Sequence, residues 1–306
     1  MSETNDNSKN KLHGLWALTN RELKKWYKAP VIFTLSIIQP IIWMGLLGKA
    51  MNLGAIFSSG SMEQLMSKIV LIPPLTLTQS QQLGVFFQGL QTSIMQNTFH
   101  TSDYFSFMAV GMIAFTALFT TAFSGMSVVW DRRLGFLNKA LSTPVSRAVI
   151  VFSKVLSATL RSMFQAGIII LIAIAFGLQF GASFNPVFIL GLFAILFLIC
   201  VGLSSMFIAI TIRSTRIETP MAVMNLITLP LMFASNAFFP TSIMPSWLQA
   251  VASVNPMTYT TDAVRQLLIY STPDFGQVGL DFLYVGIFAI VVATIGIALS
   301  WRYLSR

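Results

Sequence analysis

The sequence is short of charge. Only 9% of its 306 residues are Asp, Glu, Lys or Arg, while 55% are hydrophobic. Soluble domains carry about 25% charged residues. A water-soluble fold of this composition would have no place for its apolar surface, so the chain reads as an integral membrane protein. Cysteine is nearly absent: Cys200 stands alone in an apolar run. That excludes an intrachain disulfide and a cysteine metal cluster. His13 and His100 are the two histidines. They fall outside the apolar runs and far apart, which argues against a metal pair. No acid lies deep in an apolar run, since Asp103, Asp131 and Asp281 stand at boundaries. Ion-coupled transporters need carboxylates or histidines at membrane depth. No Ser-His-Asp set can be placed there either. No GxxxxGK followed by Ser or Thr occurs, so the chain does not cradle the phosphates of a nucleotide. A transporter so equipped must borrow its energy or run downhill.

What is present is apolar length. Six stretches are predicted to span a membrane as helices: 31–51, 104–129, 155–180, 187–212, 220–239 and 281–300. A helix rises about 1.5 Å per residue, so ~20 residues cross the ~30 Å hydrocarbon core. Gln39-Pro40 falls inside the first stretch and Pro230 inside the fifth, and each should disturb its helix. Residues 52–103 form a long polar excursion, and the apolar run within it, 85–90, is too short to cross. The polar N-terminal residues lead into no short apolar core with a cleavage site, so the first span is expected to serve as its own insertion signal.

The basic residues report orientation. Of nineteen Lys and Arg, six lie in the N-terminal arm, five in the stretch 130–154, two in the loop after the fourth span and two in the tail. Arg161 lies just inside the third span on the same side. Only Lys49, Lys68 and Arg265 fall on the other side. The positive-inside rule then puts both termini in the cytoplasm. It also removes nucleic acid as a partner, because this charge is a topology signal.

Two polar elements sit on the basic side. In residues 11–29, Leu12, Leu15, Trp16, Thr19, Leu23, Trp26 and Tyr27 fall on one helical face, opposite Arg21, Lys24, Lys25 and Lys28. That pattern fits a helix in the membrane interface, which Pro30 would end. In 130–154, Asp131 is joined by Arg132, Arg133, Lys139, Arg147 and Lys154, with Leu134, Phe136, Leu137 and Leu141 at roughly helical spacing. The stretch reads either as an ordinary solvated loop or as an amphipathic docking element for a soluble partner.

Two polar stripes mark candidate path residues. Thr116, Thr120, Ser124 and Ser127 share a face in the second span, beside Phe115, Phe119 and Phe123. Asn225, Thr228, Met232 and Ser235 share one in the fifth, with Asn236 adjacent. Either stripe could line a path or bind a neighbouring helix through hydrogen bonds.

These segments together resemble the permease subunits of type-2 ATP-binding-cassette exporters, the group that includes daunorubicin-resistance and polysaccharide-export permeases. Gln39-Pro40 with Ile41, Ile42 and Trp43 is similar to the family's first span, and residues 104–111 to its second-span entrance. Asp131 to Arg147 resembles its acidic-Arg-x-x-Gly-x-Leu loop, ending in Thr143, Pro144, Ser146 and Arg147. Phe238, Phe239 and Pro240, then Met244, Pro245, Trp247 and Leu248, then Asn255, Pro256, Met257, Thr258, Tyr259 and Arg265 carry the strongest likeness. One departure is Asn138, where the family often has an acid.

The resemblance implies an all-α, six-span permease domain over 31–306 behind an N-terminal arm, 1–30, in the plasma membrane of a prokaryotic cell. It implies a non-catalytic subunit. Two separate cytoplasmic ATPase copies would bind ATP and Mg²⁺, and a second permease copy, identical or a sister chain, would complete the complex beside membrane lipid. The ATPase contact would fall on Asp131, Arg132, Arg133, Leu134, Gly135, Phe136, Leu137 and Asn138. Gln39, Phe115, Thr116, Phe119, Thr120, Asn225, Thr228, Met232, Ser235 and Asn236 would line the path. Short re-entrant helices around Pro240, Pro245, Trp247, Asn255, Pro256, Tyr259 and Arg265 would cap its outer end. A downhill channel and a membrane scaffold are the competing readings.

Overall fold

A computed structural model describes residues 3–50, 77–101, 103–143, 145–214 and 216–304. Expectations for Pro144 and for 51–76 of the outer excursion lie outside the described residues. Every regular element among the described residues is helical.

The arm is one helix, α1 (Glu3–Tyr27). The residues that its spacing places on one face divide. Leu12, Trp16 and Tyr27 are exposed, while Thr19 and Glu22 are buried against the helical bundle. The reason is a buried cation beneath Glu22, described below. Past Pro30 the chain enters α2 (Pro30–Trp43), which stays helical through Pro40 and then widens into a π turn, Met44–Ala50. Proline lacks the N–H that would bind the Ser36 carbonyl, so a loosened ladder is expected there. Among the described residues of the outer excursion, α3 (Leu77–Ile94) and a second π turn, Met95–Phe99, lead into the bundle.

The hub is α4 (Tyr104–Arg133), buried over most of its length. Asp103 caps it, its carboxylate accepting from the Ser106 N–H at 2.9 Å. Thirty residues extend about 45 Å. That exceeds the ~30 Å core, so one end projects. Asp131, Arg132 and Arg133 therefore belong to the last turn of α4 rather than to a loop. Gly135 then turns the chain at φ +70°, a left-handed conformation that glycine adopts without strain. A short helix follows, α5 (Phe136–Leu141). The expected single amphipathic element is thus two helices joined by that turn.

The remaining helices are α6 (Arg147–Ala175), α7 (Phe188–Thr211), α8 (Glu218–Phe233), α9 (Ser246–Ala252), α10 (Pro256–Leu268) and α11 (Phe275–Leu304). Among the described residues, five stretches are long and apolar enough to cross a membrane: Pro30–Gly48, Met95–Arg133, Arg147–Ala175, Phe188–Thr211 and Phe275–Tyr303. The stretch predicted at 220–239 forms α8, which stops at Phe233 after 16 residues. Such a helix covers about 24 Å. Residues 234–240 continue it without helix, yet all except Phe239 are buried. Gly111 of α4 permits that packing. A Cβ there would lie 2.0 Å from the Ala237 carbonyl oxygen. At the bundle's edges, α2 and α11 leave most of their apolar surface exposed.

Candidate functional site

The basic end holds a buried ionic knot made by three helices. Asp131 of α4 is 0% exposed, Glu22 of α1 4% and Lys154 of α6 5%. The Lys154 ammonium meets the Asp131 carboxylate, Glu22 Oε1 at 3.2 Å and the Ser127 hydroxyl at 3.3 Å. Those contacts use the three donors an ammonium has. Lys25 approaches Asp131 at 3.2 Å, and Arg21 pairs with Glu22 at 2.8 Å and Asp131 at 3.6 Å. Buried charges are tolerated when paired in this way, and removing one partner typically costs about 3–5 kcal/mol.

The knot reaches the turn beyond it. The Arg21 guanidinium lies 3.2 Å from the centroid of the Phe136 ring, close enough for a cation–π contact. Leu137 is 3% exposed and packs in the chain's own basic-end cluster with Val128, Ile150 and Ile212. Arg132 donates to the Ile212 and Ser214 carbonyls at the end of α7 and lies 5.3 Å over the Tyr303 ring of α11. A cation at a helix C-terminus satisfies carbonyls that have no partner within the helix.

The eight residues assigned to ATPase contact therefore divide. Asp131, Arg132 and Leu137 are engaged inside the chain, and Phe136 is half covered by Arg21. Arg133, Leu134, Gly135 and Asn138 remain exposed, with Leu134 at 72%. Leu137 is taken by the chain's own core, while Phe136 is half-buried against Arg21 and that core. Glu22 as partner of Lys154 was missed in the sequence. Its one signal was a lone acid within a basic helix.

The candidate path residues also divide. Phe115 and Thr116 are buried, and Thr116 donates to the Met112 carbonyl at 2.8 Å. Phe119 stacks on Phe115 at 4.4 Å, and the Thr120 hydroxyl bonds Gln165 of α6. This stripe packs helices within the chain. Thr228, Met232, Ser235 and Asn236 are buried too, and Thr228 Oγ1 and Asn236 Oδ1 have no hydrogen-bond partner among the described residues. Gln39 of α2 and Asn225 of α8 face outward.

At the end opposite the basic one, each expected break starts an element. Pro240 precedes a 3₁₀ turn, Pro245 precedes α9 and Asn255-Pro256 opens α10, while Trp247 is exposed. Asn255 caps α10 by accepting from the Met257 N–H, and its amide donates to the Leu231 and Ala234 carbonyls. Arg265 is 1% exposed and donates to the carbonyls of Asn236 at 2.6 Å, Ala237 at 2.8 Å and Phe107 at 3.3 Å. Its guanidinium rests 3.4 Å from the Phe107 ring centroid. Asn255 and Arg265 thus satisfy backbone groups that the end of α8 leaves open. Tyr259 stacks on Tyr284 at 4.0 Å, fixing α10 to α11.

The basic end thus carries an exposed turn over a buried ionic knot, on a helical bundle with five stretches long and apolar enough to cross a membrane. Residues 13–269 match the family described as ABC-2 type transporter, and the chain belongs to that family. It is a multi-pass membrane protein of the permease class. It is 35% identical over 193 residues to a putative transport permease, ycf38, of Porphyra purpurea, covering 62% of this chain and 65% of that protein. It is 24% identical over 180 residues to a daunorubicin resistance ABC transporter permease protein, DrrB1, of Streptomyces coeruleorubidus, covering 59% and 62%. A probable multidrug ABC transporter permease, YbhR, of Escherichia coli K12 is 26% identical over 196 residues, covering 63% and 50%. The matches thus span less than two thirds of each of these relatives.

Proposed function

We propose that this chain is the path-forming subunit of an ATP-driven exporter of amphiphilic molecules, drug-like or lipid-linked, in a plasma membrane. It crosses the membrane six times with both termini in the cytoplasm, α8 and the buried stretch 234–240 together making the fifth crossing. It works as a dimer, with an identical or sister chain, on two separate ATPase subunits that bind ATP and Mg²⁺. The observation that carries this reading is the exposed turn at Arg133, Leu134 and Asn138, set on a buried knot that joins α1, α4 and α6. A push on the turn reaches α4, the hub of the bundle, directly along the chain, and reaches α1 and α6 through that knot. The relatives named as drug-resistance and multidrug permeases support the substrate class.

Co-purification tests the reading. The tagged chain, expressed in its native host and extracted in mild detergent, should retain a nucleotide-binding ATPase in equal amount. A chain that purifies alone yet moves substrate without ATP would be a channel, and one that purifies alone and moves nothing would be a scaffold.

A further inference from the structure

The ion pairs among the described residues all lie at the basic end. The opposite end holds acids instead. A pocket of about 640 Å³ opens there, and every residue that lines it carries a polar side chain. Its size is in the ~300–1,000 Å³ range of small-molecule sites. Asp262 of α10 and Asp274, just before α11, both line it, and no Lys or Arg is among its described lining residues. Two amides hold these acids in place. Gln266 donates to Asp262 Oδ2 at 3.0 Å and accepts from the Asp274 N–H at 2.7 Å. Gln277, also in the lining, donates to Asp281 Oδ1 at 3.0 Å. Asp281 stands behind this wall, 0% exposed, and its Oδ2 has no hydrogen-bond partner among the described residues. Its carboxyl group is within hydrogen-bond reach of Asp262.

Two acids in contact, one of them buried, call for positive charge, because a buried carboxylate is costly without a counter-charge. Arg265 shares α10 with Asp262, but its fork is committed to the Asn236, Ala237 and Phe107 carbonyls. A metal ion is a poor match. Among the described residues no three His, Cys, Asp or Glu side chains gather as metal ligands, and the pocket is far larger than one ion. A protonated amine matches better. An ammonium donates three hydrogen bonds, and those it makes to carboxylates are charge-assisted. The rings of Tyr270 and His100, 5.6 Å apart, also line the pocket, and aromatic faces attract cations. We infer that this pocket binds a ligand bearing a protonated primary amine, anchored on Asp262 and Asp274. A soluble polyamine and an amine lipid headgroup share that chemistry. Only the side of the membrane on which the pocket opens, the outer one, rests on the orientation proposed above.

Titration calorimetry tests this on the full chain in phosphatidylcholine nanodiscs, whose lipid has no primary amine. Putrescine, a diamine, should bind saturably at one site per chain. 1,4-Butanediol, of the same length but uncharged, should not bind. Asp262→Asn with Asp274→Asn should weaken putrescine at least tenfold at a native melting temperature. Thr272→Lys, which tethers an ammonium at the exposed rim, should do the same and serves if the first variant misfolds. No saturable binding, or undiminished binding by a folded variant, would remove the site. Butanediol binding as tightly as putrescine would overturn the cationic assignment. Ca²⁺ binding there more tightly than putrescine would give the pocket to a metal ion and overturn the amine assignment. Nanodiscs containing phosphatidylethanolamine separate the two sources of amine. Putrescine binding at least tenfold weaker in them supports the site with a lipid headgroup as its occupant, and unchanged binding supports it with a soluble amine. Binding is read without ATPase or transport, so this inference and the exporter reading fail separately.

Discussion

Lys154 and Glu22 meet at 3.2 Å across 132 residues of chain. That contact fastens the N-terminal helix to the bundle, and Asp131 completes it from the hub helix. The three side chains occupy the junction between the exposed turn and the apolar core.

Lys154→Met should therefore lower stability, by up to about 3–5 kcal/mol, because it leaves two buried carboxylates with only the partly exposed Arg21 and Lys25 as partners. Adding Glu22→Gln and Asp131→Asn to the same chain should recover much of the loss, since the charges then left, Arg21 and Lys25, are partly exposed to water. Thermal unfolding in detergent, followed by tryptophan fluorescence, measures both. An unchanged midpoint for Lys154→Met would show that the knot contributes nothing to folding.

Arg265→Lys should not be conservative. An ammonium cannot reproduce the guanidinium fork that reaches three carbonyls or its stacking on Phe107. Each buried carbonyl left without a donor costs about 1–3 kcal/mol. The 234–240 stretch should then open. A cysteine at Ala237, which is 1% exposed, should pass from unreactive to reactive toward a small thiol reagent. Equal reactivity in both backgrounds would show that Arg265 does not hold this stretch.

Orientation has a direct test. Cys200 is buried and gives a quiet background. Thr272→Cys, exposed between α10 and α11, should react in intact cells with an impermeant maleimide, and Asn138→Cys should react only after lysis. Labelling of Asn138→Cys in intact cells would reverse or break the six-crossing arrangement.

Five of the six expected spans were legible because apolar length is a local property of sequence. The outer breaks were legible for the same reason: Pro240, Pro245 and Asn255-Pro256 act on their own turn. What could not be read was which body covers an apolar or charged face. The spacing of Leu134, Phe136 and Leu137 marks an apolar side, but it does not say whether the chain's own core or a partner fills against it. The structure gives Leu137 to the core and leaves Leu134 open. Likewise nothing near Glu22 in sequence announces Lys154. The end of α8 was misjudged because its carbonyls are satisfied from Asn255 and Arg265, far along the chain, so the helix can stop early without leaving buried groups unpaired.

The coupling role of the exposed turn meets its most direct test at Leu134. Its side chain is 72% exposed, so Leu134→Ala should leave thermal stability and dimer formation unchanged. If an ATPase cleft buries that side chain, the loss is about 1.5–3 kcal/mol, or roughly 10- to 100-fold in affinity. Pull-down of the ATPase by native and Leu134→Ala chains at equal expression, with ATP-driven transport read in parallel, decides the matter. Association weakened at least tenfold, with a native melting curve, is the expected result. Undiminished association together with normal transport would contradict it and return the turn to an ordinary solvated loop.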